Sequence, residues 1–158
     1  MARLHVHRAE RLWLNAGIGL LILFLVLITA VAILDGVVPP SHIQSIDPTR
    51  VAETPPFDKP GLRKVAPGVY EAYYVAHVFA FAPQHLIVPV GASVTFYVTS
   101  EDVEHGFSIP ETSVNTMVTP GWVSTVAYTF RKRGTFLLVC NEYCGIEHQL
   151  MSSDVEVR

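Results

Sequence analysis

Charge is scarce in this chain, and so is cysteine. Only 16% of the 158 residues are charged, half are hydrophobic, and the mean hydropathy is +0.36. Disorder requires the opposite balance and is excluded. Basic residues are too few for a nucleic-acid partner: 11 Lys and Arg stand against 14 Asp and Glu, a net of −3 where phosphate binding needs a positive excess. Two cysteines cannot staple a disulfide scaffold. No C-x2-C-H, H-E-x2-H or phosphate-binding glycine loop occurs, so covalent haem, a zincin centre and a nucleotide cradle have no motif here. Internal repeats and low-complexity tracts are missing too.

What the chain does have is one long apolar run. Residues 16–34 read AGIGLLILFLVLITAVAIL, with no charge and Thr29 as the single polar side chain. As a helix, 19 residues span about 28 Å, close to the hydrocarbon thickness of a bilayer. Trp13 precedes the run at interface depth, and Asp35-Gly36 followed by Pro39-Pro40 ends it. Ala30-Val31-Ala32 has the small-residue pattern of a signal-peptide cleavage site, yet the run is long for such a peptide and continues through Ile33 and Leu34. A retained anchor is therefore expected over residues 1–40. Arg3, Arg8 and Arg11 lie ahead of it against Glu10 alone, and the next basic residue behind it is Arg50. The positive-inside rule then places the N-terminus in the cytoplasm and residues 41–158 outside. That outer part is net acidic, with 8 Lys and Arg against 12 Asp and Glu.

Residues 41–69 contain five prolines and little periodicity, and read as a linker, with an Asp47-Pro48 turn or short helix inside it. From Tyr70 the pattern becomes short β-rich runs: Tyr70–Phe81, His85–Val88, Ser93–Thr99, Gly106–Ile109, Val123–Phe130, Thr135–Cys140 and Asp154–Val157. Val94, Phe96 and Val98 alternate with Thr95, Tyr97 and Thr99, the mark of a strand with one buried face. Pro89-Val90-Gly91, Pro120-Gly121 and Arg133-Gly134 supply turns. Strands at this spacing over 70–158 predict a mainly β domain, a sandwich or Greek-key barrel.

The chemistry concentrates in Cys140-Asn141-Glu142-Tyr143-Cys144-Gly145-Ile146-Glu147-His148-Gln149-Leu150-Met151, a C-x3-C-x3-H-x2-M spacing directly after a strand. Thiolate, imidazole and thioether together select copper, with methionine as a weak ligand; zinc takes four Cys or His ligands as a rule. A mononuclear site would use one cysteine. Two bridging thiolates can instead hold two copper ions, each of which needs an imidazole. One histidine is in the loop; the second must come from elsewhere. His105, just past the alternating strand, is the best candidate, ahead of His42, His77 and His85. A Cys140–Cys144 disulfide is disfavoured, because a three-residue spacer strains its geometry and leaves His148 and Met151 unexplained.

The loop, together with Asp102-Val103-Glu104-His105-Gly106-Phe107, resembles the binuclear copper-A site of cytochrome c oxidase subunit II. The resemblance implies a cupredoxin-like Greek-key β-barrel behind one N-terminal transmembrane helix. It further implies two copper ions held by bridging Cys140 and Cys144, by His105 and His148, by Met151 as a weak ligand and by the backbone carbonyl of Glu142. A single helix points to the B-type, ba(3)-type oxidases, as do Glu10-x-x-Trp13, Val38-Pro39, Asp47-Pro48-Thr49 and Gly121-x-Val123-Ser124-Thr125-Val126-x-Tyr128-Thr129-Phe130. The likeness covers nearly the whole chain and departs in detail over 51–69.

The function implied is electron transfer in a prokaryotic cell membrane. Cytochrome c outside reduces the copper pair, which passes the electron to haem in oxidase subunit I, where oxygen becomes water and protons are translocated. The expected partners are subunit I, small helical subunits, cytochrome c and the lipid bilayer. No residue of this chain is catalytic in the bond-making sense. Phe79, Phe81 and Tyr143 are expected at the copper end as electron-uptake or donor-docking contacts, and Glu10 at the mouth of a proton-uptake path. Competing readings are a copper-A nitric oxide reductase subunit and a membrane-tethered copper carrier. Nitrous oxide reductase fits poorly for want of a large catalytic domain, and a mononuclear cupredoxin would not need the second cysteine.

Overall fold

The computed structural model describes residues 7–34 and 41–158, and the chain divides into two compact units between Val37 and Val38. The first holds a single helix, α1 (Arg8–Leu34), 27 residues or about 40 Å long. No residue of it is buried by the chain, and its most apolar stretch has a mean hydropathy of 3.0. By length and composition it can cross a membrane. The helix starts two turns before the apolar run, because Arg8, Glu10 and Arg11 are good helix formers whose charged ends lie beyond the apolar stretch. Arg3 and the stop signals Asp35-Gly36 and Pro39-Pro40 lie outside the described residues.

The second unit is a two-sheet β-sandwich. Its strands are β1 (Ser41–Ser45), β2 (Gly61–Ala66), β3 (Val69–His77), β4 (Ala80–Ala82), β5 (His85–Val88), β6 (Ser93–Ser100), β7 (His105–Ser108), β8 (Asn115–Val118), β9 (Trp122–Thr129), β10 (Gly134–Val139) and β11 (Ser152–Val157). One sheet runs β1-β9-β6-β3-β2 with β4 folded onto β3; the other runs β5-β11-β10-β7-β8. Pairing is antiparallel except for β3 with β6 and β5 with β11. This is a cupredoxin-like arrangement, as expected.

The core lies between the sheets. Val94, Phe96 and Val98 are fully buried, as their alternation predicts. Phe107 sits at the centre, with ring centroids 5.1 Å from Tyr74, 5.6 Å from Phe96 and 5.7 Å from Phe81. The same cluster continues without a break into Cys140, Cys144 and Met151.

Two expectations need correction. The segment 41–69 has the expected turn at Asp47-Pro48 but is more than a linker. It contributes β1 and β2 to the two edges of one sheet, and its 3₁₀ turn (Pro48–Glu53) is capped by the Asp47 carboxylate. Val51 and Phe57 from this segment form a second small core with Val75 and Val123. Edge strands gain stability from the backbone ladder on one side, so their sequences need not alternate; β2 shows that case, with Arg63, Lys64 and Val65 all exposed. The run 70–81 is also not one strand: the chain turns at Val78-Phe79 and β4 returns along β3, pairing Ala80 with His77. The turn is held from outside its own sequence, by the Asp102 carboxylate accepting the Val78 N–H at 2.7 Å.

Candidate metal centre

Residues 140–151 form a loop whose two ends are tied together. Val139 and Ser152 pair as the last rung of β10 and β11, and the Cys140 N–H donates to the Met151 carbonyl at 3.2 Å. Inside, the Met151 N–H donates to the His148 carbonyl and the His148 N–H to the Gly145 carbonyl. Gly145 has φ = +138°, and a Cβ there would lie 2.8 Å from the Phe79 ring. Only glycine fits, since side-chain-bearing residues avoid that φ.

The closed loop gathers its donors at one end of the core. The Cys140 and Cys144 sulfurs are 3.8 Å apart, both thiols are free, and each cysteine is 7% exposed. A disulfide requires about 2.05 Å, so the two sulfurs stand as separate donors. Cys144 Sγ is 3.5 Å from His148 Nδ1 and 3.6 Å from the Met151 sulfur; Cys140 Sγ is 3.1 Å from the Glu142 carbonyl. The Glu142 side chain is exposed, so position 142 contributes backbone.

His105 completes the set from the other side. It opens β7 and is fully buried, with Nδ1 3.9 Å from Cys140 Sγ. His105, Cys140 and Cys144 bring their ligand atoms within 4.8 Å of one another. A turn aims the ring: the Ser100 hydroxyl donates to the Val103 carbonyl, and Asp102 Oδ1 accepts from the Val103 N–H. The same Oδ1 lies 2.9 Å from His105 Nε2. With Nε2–H donating to the carboxylate, Nδ1 keeps its lone pair toward the sulfurs, the usual way an outer partner sets a ligand's tautomer.

Burial first, then the hydrogen bond and charge of Cys140, push the Cys144 thiol up to about 11; binding a cation there would displace its proton. Burial works to raise Asp102 as well, but hydrogen bonds from His105, Val78 and Val103 outweigh it and hold the carboxyl below its ordinary value.

The sequence-predicted residues divide clearly. Cys140, Cys144, His148, Met151, the Glu142 carbonyl and His105 converge. His77 ends β3 and His85 on β5 faces Asp154 and Glu156; neither joins the cluster. His42 lies on β1, and its side chain falls outside the described residues. Tyr143 is 73% exposed, with its ring 5.9 Å from that of His148, and Phe79 packs on Gly145 half-buried. Phe81 is 1% exposed and packs edge-on against Phe107, which removes the docking half of its expected role and does not touch the electron-uptake half. Glu10 lies in the first turn of α1, in the other unit.

Three contributors escaped the sequence reading: Asp102 as the aiming group, Gly106 and Asn141. A Cβ on Gly106 would fall 2.0 Å from Asn141 Oδ1 and 2.8 Å from the backbone nitrogens of Asn141 and Glu142. The one available signal was Asp102 standing three residues before a ligand histidine.

Six donors in one pocket suit copper. Thiol, imidazole and thioether are the soft set that copper prefers, and a thioether within 3.6 Å of a thiol has no use in an ordinary zinc site.

Comparison with known proteins agrees. The family described as "Cytochrome C oxidase subunit II, periplasmic domain" matches residues 76–157. One cytochrome c oxidase subunit 2 of Thermus thermophilus is 38% identical over 153 residues, covering 94% of this chain and 91% of that protein. A second Thermus thermophilus cytochrome c oxidase subunit 2 is 40% identical over 78% of this chain and 93% of its own length. Among solved structures, a chain of a haem-copper terminal oxidase dimer superposes with a TM-score of 0.78 at 29% identity, covering 96% of this chain and 100% of that one.

Proposed function

This chain belongs to the cytochrome c oxidase subunit II family, and on that premise we propose that it is the electron-accepting subunit of a single-helix, ba(3)-type haem-copper oxidase. As a member of an oxidoreductase complex it is anchored by α1, with the β-sandwich outside the membrane and the N-terminus in the cytoplasm. Its partners are oxidase subunit I, small helical subunits, the bilayer and a cytochrome c donor. Translocation of protons belongs to the assembled complex.

One observation carries the reading: two unbonded thiols 3.8 Å apart, flanked by His105 and His148, with Met151 and the Glu142 carbonyl beside them. Cys140, Cys144, His105 and His148 would hold two copper ions, with the Met151 thioether and the Glu142 carbonyl as weaker donors. Copper held there would supply one-electron chemistry between a cytochrome c donor and the haem of subunit I.

The chain's own work is to hold the donors still and dry. Cys140 and Cys144 are anchored at the core end, and His105 is locked by Asp102, so little has to move when charge arrives. Such prior fixing is what the protein adds to a cofactor's chemistry. Deep burial also argues against a carrier, which must release its metal. Around the loop, Val78, Tyr143, Ile146 and Leu150 are exposed apolar side chains and form the surface for donor docking. Acidic Glu101, Glu104, Glu142 and Glu147 lie nearby in sequence and are exposed, which favours a basic donor. Glu10 would gather protons at the cytoplasmic end of α1.

Electron paramagnetic resonance of the full chain loaded with copper tests this. Two coppers per chain and one unpaired electron shared equally between two nuclei are expected. A single copper, or a spectroscopically silent zinc held in preference, would defeat the reading.

A further inference from the structure

We propose that Asn141 is a positioning residue that straps the His105 hairpin to the ligand loop by way of Asn115. The inference rests on the copper reading and extends it to how the two halves of the site are kept in register.

The donors come from two pieces of one sheet. Cys140, Cys144, His148 and Met151 belong to the β10–β11 side, which is joined along its whole length from Gly134↔Val157 to Val139↔Ser152. His105 belongs to the β7–β8 hairpin, which meets β10 at a single register pair, Val139↔Ser108. The Nε2 hydrogen bond of the His105 ring runs back to Asp102 in its own turn, and its Nδ1 contact with Cys140 Sγ across that join is long, 3.9 Å. The spacing between His105 Nδ1 and Cys140 Sγ therefore depends on what bridges β10 to the hairpin near the site.

Asn141 is placed to do it. Its carboxamide occupies the space a side chain at position 106 would fill, with Oδ1 2.0 Å from the site of a Cβ on Gly106. From there Nδ2 donates to Asn115 Oδ1 at 3.0 Å. Asn115 opens β8 and pairs with Ser108, the residue that also makes the single β7–β10 pair. One side chain thus leaves the end of β10, lies across β7 and fastens on β8. The bond is exposed and so of ordinary strength; what it sets is lateral spacing. Partners outside the ligand set commonly matter at this level, with losses of about 10–100-fold in metal affinity when they are removed.

Asn115 is the position to change, because it touches no donor and leaves the Gly106 contact in place. In the full chain purified in detergent, Asn115→Ala should still take up two coppers but lose them to a chelator about tenfold faster than the unaltered chain. Asn115→Asp keeps the acceptor oxygen and should behave as the unaltered chain. In the metal-free protein, amide exchange at residues 105–107 should quicken in Asn115→Ala and not in Asn115→Asp. Equal release and equal exchange in Asn115→Ala, or Asn115→Asp as labile as Asn115→Ala, overturns the strap. An unaltered chain that never holds two coppers defeats the copper reading instead, and the exchange measurement then judges the strap alone.

Discussion

Replacing Gly106 with alanine should damage the site by overpacking. The new Cβ would stand 2.0 Å from Asn141 Oδ1 and 2.8 Å from two backbone nitrogens. A side-chain oxygen can rotate away. The backbone nitrogens of Asn141 and Glu142 cannot, and they are about 0.6 Å short of the 3.4 Å at which ordinary contact begins. Either β7 or the start of the ligand loop must shift by that amount. Overpacking of this kind costs about 1–3 kcal/mol, which lowers the melting temperature of a domain this size by roughly 5–15 °C. The shift also separates His105 from Cys140, so copper uptake should fall below two per chain. Thermal unfolding followed by circular dichroism, with metal analysis of the loaded protein, gives both readings. Gly106→Ala combined with Asn141→Gly should recover only part of the loss, because the two backbone contacts remain. An alanine variant with unchanged melting and two coppers would refute the steric reasoning.

Other consequences are open to measurement. Phe107→Ala removes a fully buried ring in contact with three others, and should cost about 3–5 kcal/mol in denaturant unfolding; a loss under about 1 kcal/mol would contradict the placement of the core. Tyr73 is pushed up to about 12, by burial first and then by its hydrogen bond to Glu71. An unfolded tyrosine ionises near 10, so stability should hold below that pH and fall between 10 and about 12, where the unfolded chain loses its proton first. Replacing Tyr73 by Phe should flatten that fall, and an unchanged slope would count against the pairing. Tyr143→Ala, at a 73% exposed position, should leave stability within about 0.5 kcal/mol, yet raise the KM for reduced cytochrome c; an unaltered KM would remove Tyr143 from the docking surface. Glu10→Gln should slow steady-state turnover of the assembled oxidase while reduction by cytochrome c stays intact, and unchanged turnover would retire its role in proton uptake.

Legibility followed sequence distance. The helix and the ligand loop could be read because each is a contiguous pattern: 19 residues without charge, and four donors within residues 140–151. The central strand β6 was readable because both its neighbours and its buried face impose alternation. Strands β1 and β2 were not: they sit at the two edges of one sheet, where backbone pairing on one side suffices; β8, only four residues long, was missed as well. The break at Val78-Phe79 was hidden because its cause, Asp102, lies 24 residues downstream.

Composition and local spacing were enough to read a helix long and apolar enough to cross a membrane, a β-rich domain and a soft-donor loop, because each depends on residues adjacent in the chain. They could propose His105 as the missing imidazole but not aim it. Its direction comes from Asp102, its depth from Phe107 in the core, and its distance from Cys140 from the way Gly106 lets the ligand loop close over β7. Asp102 stands three residues before the ring it aims, whereas the last of these contacts joins segments about 35 residues apart. Packing alone brings them together, since a donor's chemical type is carried by its residue and its position by everything that surrounds it.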